Sequence, residues 1–177
     1  MNIIVSFSGR RDGNCDMIAR YISSENDLIL YMRDLKPTPC ADCDYECMSG
    51  QCKYRNDGVF SLFKRFAIAD KIFFIVPMYC GNPSALYFIL NERSQDYFMQ
   101  NEEQYENMVE KLYIIGVYGN AEDYPFFLKA FAWQYGFANV EKHILGLERH
   151  KYHQKMDSFL LEEEDVKLKL DEFTNRH

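Results

Sequence analysis

The sequence predicts an α/β protein, a parallel sheet covered by helices on both faces. Strand-like apolar runs alternate with segments whose apolar residues recur at helical spacing. One run, Lys71-Ile-Phe-Phe-Ile-Val76, is almost wholly apolar, as a strand buried on both faces must be. Polar, glycine-containing loops follow three of the strand-like runs, where such a sheet carries its ligand.

The elements follow in order. Asn2 to Phe7 reads as the first strand and Asn14 onward as a helix, with Cys15, Ile18 and Ile22 on its apolar stripe. Asp27 to Met32 reads as the second strand. Residues 37–58 form a cysteine-rich loop insertion, and Val59 to Ala69 has the pattern of a helix. Lys71 to Val76 is expected in the centre of the sheet and to stop at Pro77. Pro83 to Phe98 reads as an amphipathic helix, with Pro83 in its first turn. Lys111 to Tyr118 gives a fourth strand, Tyr124 to Tyr135 a helix, and Val140 to Leu147 a fifth strand. Residues 150–177 read as a charged C-terminal helix or tail, whose charges face solvent.

Composition narrows the function. A chain of 177 residues without repeats or linkers is expected to be one domain, 1–177. Its 47% hydrophobic and 27% charged content is that of a globular protein, which excludes disorder. The 16% aromatic content serves core and interface packing first. A formal charge of −7 gives no electrostatic footprint for nucleic acid. With no secretion signal and no long apolar run, a soluble cytoplasmic protein with no membrane partner is expected, its six cysteines reduced, metal-bound or redox-active. His143, His150, His153 and His177 show no metal-ligand spacing.

Three loops concentrate chemistry. Ser6 to Cys15 joins strand to helix and combines hydroxyls, Gly9, Gly13, Arg10 and Asn14. Backbone N–H groups at a helix start lack intrahelical partners and sit at the positive end of the dipole, so this loop suits a monophosphate. It matches neither the dinucleotide glycine pattern nor a P-loop. Pro77-Met78-Tyr79-Cys80-Gly81-Asn82 follows the most buried strand and offers a flat side chain and backbone N–H groups to a planar heterocycle. Tyr118-Gly119-Asn120 follows the fourth strand and could close the opposite side.

The run Ser8-Gly9-Arg10-x-x-Gly13-Asn14 resembles the Ser-Pro-Arg-x-x-Gly-Asn-Thr phosphate loop of the NADPH-dependent FMN reductase branch of flavodoxin-like proteins. Pro77-x-Tyr79 with Gly81 and Ser84, then Asn91-Glu92-Arg93, is similar to that branch's second flavin loop and its Asp-Arg helix end. The resemblance spans roughly residues 1 to 120; Gly9 and Cys15 depart from its usual Pro and Thr. It implies a flavodoxin-like doubly wound five-stranded sheet in the order 2-1-3-4-5. It also implies FMN, with NADPH or NADH as electron donor, a small-molecule or protein electron acceptor, and a homodimer or higher homo-oligomer. Ser8, Arg10, Asn14 and Cys15 would hold the phosphate, and Pro77, Met78, Tyr79, Cys80, Gly81 and Asn82 would line the isoalloxazine. The flavin would carry the redox chemistry, with no side chain as nucleophile or general base.

Cys40, Cys43, Cys47 and Cys52 stand in a Cys-x2-Cys-x3-Cys-x4-Cys run, compact enough for a [4Fe-4S] cluster or zinc. The segment resembles that of iron-sulfur flavoproteins, with one extra residue before Cys47. Asp42, Asp44 and Glu46 lie between the ligands and would add negative charge around an anionic site. A function of another class also fits: a non-enzymatic thiol-redox or metal-binding module whose flavin site has decayed.

Overall fold

The structure, a computed structural model, describes residues 1–120, 124–152 and 159–175. The chain runs β1 (Ile3–Ser6), α1 (Asn14–Ile22), β2 (Leu28–Tyr31), α2 (Gly58–Ala67), β3 (Ile72–Tyr79) and β4 (Asn82–Pro83). It continues through α3 (Ala85–Gln100), α4 (Glu102–Glu110), β5 (Leu112–Tyr118), α5 (Tyr124–Tyr135), α6 (Val140–His143), β6 (Ile144–Glu148) and α7 (Glu164–Asn175). Five strands pair in parallel in the order β2-β1-β3-β5-β6. That is the order implied from the sequence, with the two-residue β4 added as an antiparallel partner to the end of β3.

Strand periodicity decides which side chain enters which core. Along β3, Ile72, Phe74, Val76 and Met78 join one apolar cluster, while Phe73 and Ile75 join the other. On β5, Leu112, Ile114 and Tyr118 face the first and Tyr113, Ile115 and Val117 the second. The first cluster is covered by residues of α2, α3, α4 and α5; the second by α1 and α7, with Ile18, Val166, Leu170 and Phe173 buried there. Gly116 interrupts the first face of β5, and the ring of Phe127 from α5 fills the gap. A Cβ at Gly116 would lie 1.9 Å from that ring, so no larger residue fits without displacing α5.

Three sequence expectations change, and one helix is added. β3 does not stop at Pro77: it runs to Tyr79, with Pro77 in register with Val117. β1 pairs only as far as Ile75, so no β1 residue stands opposite Pro77, which has no N–H to give to a ladder. Pro83 lies in β4 opposite Met78, and α3 starts at Ala85 behind Ser84. Glu102–Glu110 forms a helix of its own, set apart from α3 by Asn101, whose N–H caps the Tyr97 and Phe98 carbonyls. The fifth strand begins at Ile144, after the single turn Val140–His143. His153 and His177 lie outside the described residues. No helix of the described residues is long and apolar enough to cross a membrane.

Candidate functional site

The carboxyl ends of β1, β3, β5 and β6 open onto one cleft of about 410 Å³. Its first wall is the β1–α1 loop. Ser8 folds that loop on itself, its hydroxyl accepting the Arg10 N–H and donating to the Arg10 carbonyl, each at 3.1 Å. Gly13 is the N-cap of α1 and has no side chain to cap it, so the first-turn N–H groups face the cleft end without a side-chain acceptor from that position. The Arg10 side chain lies over Gly13, where an added Cβ would stand 3.4 Å from its Cδ.

An ion pair behind this wall fixes its shape. Asp16, in the first turn of α1, is buried and meets Arg33 at 2.7 Å. It also accepts the Ser6 hydroxyl at 2.7 Å and the Asp12 N–H at 2.9 Å. Arg33 in turn donates to the Ser8 carbonyl at 3.0 Å and the Arg10 carbonyl at 3.4 Å, clamping the loop from outside. Burial pushes the Asp16 carboxyl up, but the hydrogen bonds from Arg33, Ser6 and Asp12 together outweigh it and hold the group below its ordinary value. The negative charge at this helix start is thus already neutralised from behind. Neither Asp16 nor Arg33 belongs to a recognisable motif, and they are 17 residues apart.

Of the residues read from the sequence, Ser8, Arg10, Asn14, Cys15, Pro77, Met78, Tyr79, Tyr118 and Gly119 line the cleft, joined by Gly13, Val117 and Arg149. Asn14 is the first helical residue, and its side-chain carbonyl accepts the Leu160 N–H at 2.7 Å, tying the C-terminal segment to the cleft. The Cys15 thiol is buried among apolar side chains, and burial with the adjacent Asp16 charge pushes its pKa far up, so it stays protonated. Tyr79 is 57% exposed and offers its ring to the cleft. Burial and Cys15 raise the pKa of its phenol, while Arg10 opposes them.

Cys80, Gly81, Asn82 and Asn120 are not part of the lining. Cys80 and Gly81, at φ +49° and +76°, make a two-residue turn between β3 and β4 with both residues left-handed, a geometry that suits Gly81. Asn82 pairs with Tyr79 and donates to the Cys80 carbonyl at 3.0 Å. Cys80 is exposed rather than packed as a small apolar residue. Asn120 contacts His150. Ser84 ties this loop to the first wall, its hydroxyl donating to the Phe7 carbonyl at 2.9 Å.

The cysteine-rich loop lies elsewhere, against the middle of α3. Cys40, Cys43, Cys47 and Cys52 all line one small cavity of about 20 Å³, together with Tyr54, Glu92, Arg93, Gln95 and Asp96. All four are free thiols, Cys40 exposed and the others half-buried. No group of three or more His, Cys, Asp or Glu among the described residues is arranged to hold a metal ion. The acidic side chains between the cysteines matter less than their sequence positions imply: Asp42, Asp44 and Glu46 are exposed, whereas buried Arg93 forms part of the wall. Burial raises the Cys40 pKa, and the Arg93 charge works against it. Arg93 meets Asp57 at 2.6 Å and donates to the carbonyls of Thr38 at 3.1 Å and Tyr54 at 3.0 Å. Arg55 meets buried Asp96 at 2.9 Å.

No protein-family model and no curated protein matches the chain. Among solved structures it is similar to the Trp repressor binding protein from Bacillus subtilis, at 13% identity and a TM-score of 0.68, over 100% of this chain and 99% of that one. It is also similar to a flavodoxin, WrbA-like protein from Agrobacterium tumefaciens, at 14% identity and a TM-score of 0.51, over 99% and 95% of the two chains. The fold is flavodoxin-like. A third similar structure is FerB, a flavoenzyme NAD(P)H:(acceptor) oxidoreductase from Paracoccus denitrificans, at 12% identity and a TM-score of 0.55, over 99% and 93%. At these identities the likeness concerns the fold, and the site must be argued from its own residues.

Proposed function

We propose that the chain binds FMN in the strand-end cleft and passes reducing equivalents from NAD(P)H to a small-molecule or protein acceptor. The observation that carries this reading is the cleft's composition. A side-chain-uncapped helix start with Arg10 stands at one end, and Pro77, Met78 and the exposed Tyr79 ring form an apolar, flat-sided wall beyond it. Such a cleft takes a molecule with a phosphate at one end and a planar ring at the other. FerB, a flavoenzyme NAD(P)H:(acceptor) oxidoreductase of the same fold, supports the same chemistry. FMN when bound supplies the hydride acceptor; this chain's residues hold the phosphate, seat the ring and set its electrostatics. Phe126 and Trp133, seven residues apart on α5 and both exposed, support a homodimer, which sedimentation would detect.

Absorbance of the purified protein tests the flavin reading. Bands near roughly 370 and 450 nm, released as free FMN on denaturation, are expected. Colourless protein that takes up no added FMN would defeat it.

The convergence of four cysteines on one cavity supports a second role, a thiolate site for a metal centre, either an iron-sulfur cluster or zinc. Because no three ligands are arranged for an ion, the loop must draw its thiols together as the centre binds. Anaerobically purified protein should contain iron with acid-labile sulfide, or zinc, and Cys43→Ser should lose the metal while keeping FMN. Wild-type protein without either metal would leave the cysteines as thiols.

A further inference from the structure

We infer that the C-terminal segment, residues 159–175, is a working part of the strand-end cleft: the Leu160 N–H sets the Asn14 side chain so that its amide N–H2 donates to the ligand's phosphate, and phosphate binding and docking of the segment strengthen each other. This deepens the FMN reading and rests on it.

The segment is fastened to the body of the protein at three points. Leu160, the first residue of the short turn Leu160–Glu162, gives its N–H to the Asn14 side-chain carbonyl at 2.7 Å, across 146 residues of chain. Asp171 of α7 accepts the Tyr21 hydroxyl at 3.1 Å, and the Thr174 carbonyl accepts from the Lys71 ammonium at 3.0 Å. Of the three anchors Asn14, Tyr21 and Lys71, Asn14 alone lines the cleft. Beneath that tie the Leu160 side chain is fully buried in the same apolar cluster as Cys15 and Ile18, so the segment also supports the first turns of α1.

An amide side chain has one accepting end and one donating end. A backbone N–H can only donate, so the end of Asn14 that meets Leu160 is its oxygen. The N–H2 is the end that remains. It has no hydrogen-bond partner among the described residues and is open to solvent, on a half-buried side chain at the cleft wall.

The residue type agrees with a ligand there. As a tie for Leu160 alone an aspartate would serve at least as well, because a carboxylate accepts more strongly and suits a helix start. It would also set a negative charge where a phosphate must enter. Asparagine keeps the acceptor for Leu160 and places a neutral donor beside the first-turn N–H groups of α1.

Coupling follows because both partners share one side chain. With the segment docked, the Asn14 rotamer is fixed before the ligand arrives, and binding does not have to order it. With phosphate on the N–H2, the amide is polarised and its oxygen becomes a better acceptor for Leu160. Each event then favours the other by the same factor, as linkage requires.

The test uses the full chain and follows hydrogen exchange at the Leu160 amide together with FMN titration. In wild type, saturating FMN should slow that exchange about tenfold or more, and riboflavin, which has no phosphate, should leave it unchanged. Asn14→Asp keeps the acceptor and loses the donor, so exchange without ligand should match wild type while FMN affinity falls about tenfold or more. Asn14→Ala loses both ends; exchange at Leu160 should be faster than in wild type, and saturating FMN should no longer slow it. The inference is overturned if FMN leaves wild-type exchange at Leu160 unchanged, if riboflavin slows it as FMN does, if the slowing persists undiminished in Asn14→Ala, or if Asn14→Asp binds FMN like wild type. Those outcomes leave the flavin reading standing, because FMN binds in each of them. Wild-type protein that takes up no FMN would overturn that reading and this inference with it.

Discussion

The cleft and the cysteine cavity sit on the same small molecule but are built by opposite means. The cleft is made by the ends of four paired strands and the start of α1, so its walls are placed by the sheet. The cavity is made by a loop with only short turns of structure, held to α3 by two ion pairs and by hydrogen bonds at Cys40 and Cys47. A site framed by a sheet keeps its shape whether or not a ligand is bound. A site framed by a loop depends on its anchors. The two should therefore fail separately, and substitutions can show whether they do.

The largest expected effect is at the cavity's anchor. Arg93→Ala removes a buried guanidinium from Asp57 and two carbonyls. It should cost about 3 kcal/mol, at the low end for a broken buried pair because Asp57 is partly exposed and regains water. Denaturant unfolding gives the loss, limited proteolysis should cut within 37–57, and FMN affinity of the folded fraction should stay unchanged. A matching loss of FMN would show that the two sites are coupled.

Arg10→Ala makes the converse case. It should weaken FMN by about 1.5–3 kcal/mol, the worth of a charge-assisted bond to phosphate, and leave stability and loop proteolysis as in wild type. Unchanged FMN affinity by titration would remove the phosphate from this loop.

A smaller effect concerns acid. Asp16 is held below its ordinary value in the folded chain, so its contribution to stability is complete above the unfolded carboxylate pKa of about 3.9 and is lost as pH falls through the lower native value. Asp16→Asn should flatten the acid limb of a stability-against-pH curve. An unaltered limb would mean that the clamp behind the phosphate loop contributes nothing there. The smallest effect is expected for Cys15→Ser. A hydroxyl among buried apolar neighbours should cost about 1 kcal/mol of stability, while FMN affinity holds or rises because a hydroxyl is the better donor.

The same contrast explains what the sequence revealed. Alternation of apolar runs was enough for the sheet, its helices and the loops that reach the cleft, because those features repeat locally. The helix Glu102–Glu110 escaped because it is mostly polar, although Tyr105, Met108 and Val109 carry a weak helical stripe. The Asp16–Arg33 clamp and the Asn14–Leu160 tie escaped for another reason: each joins residues far apart along the chain. Arg149, a further lining residue, did leave a signal, since it directly follows the last parallel strand, at the edge where such sheets bind ligands. The acids among the cysteines were misleading, since neighbours in a loop need not face the same way. Only the fold turns Asp42, Asp44 and Glu46 outward and brings in Arg93 from α3.

Arg93 also closes a circuit in the chain. One guanidinium grips Thr38 near the entrance of the cysteine-rich loop and Tyr54 and Asp57 at its exit. Asp57 then spends its other oxygen on the Val59 and Phe60 N–H groups at the start of α2. The entropy of loop closure is thus met at the neck, not by whatever the cysteines bind. Everything between the two grips is topologically a cassette. Its length and contents can change over generations, or at a bench, without the sheet having to register the exchange.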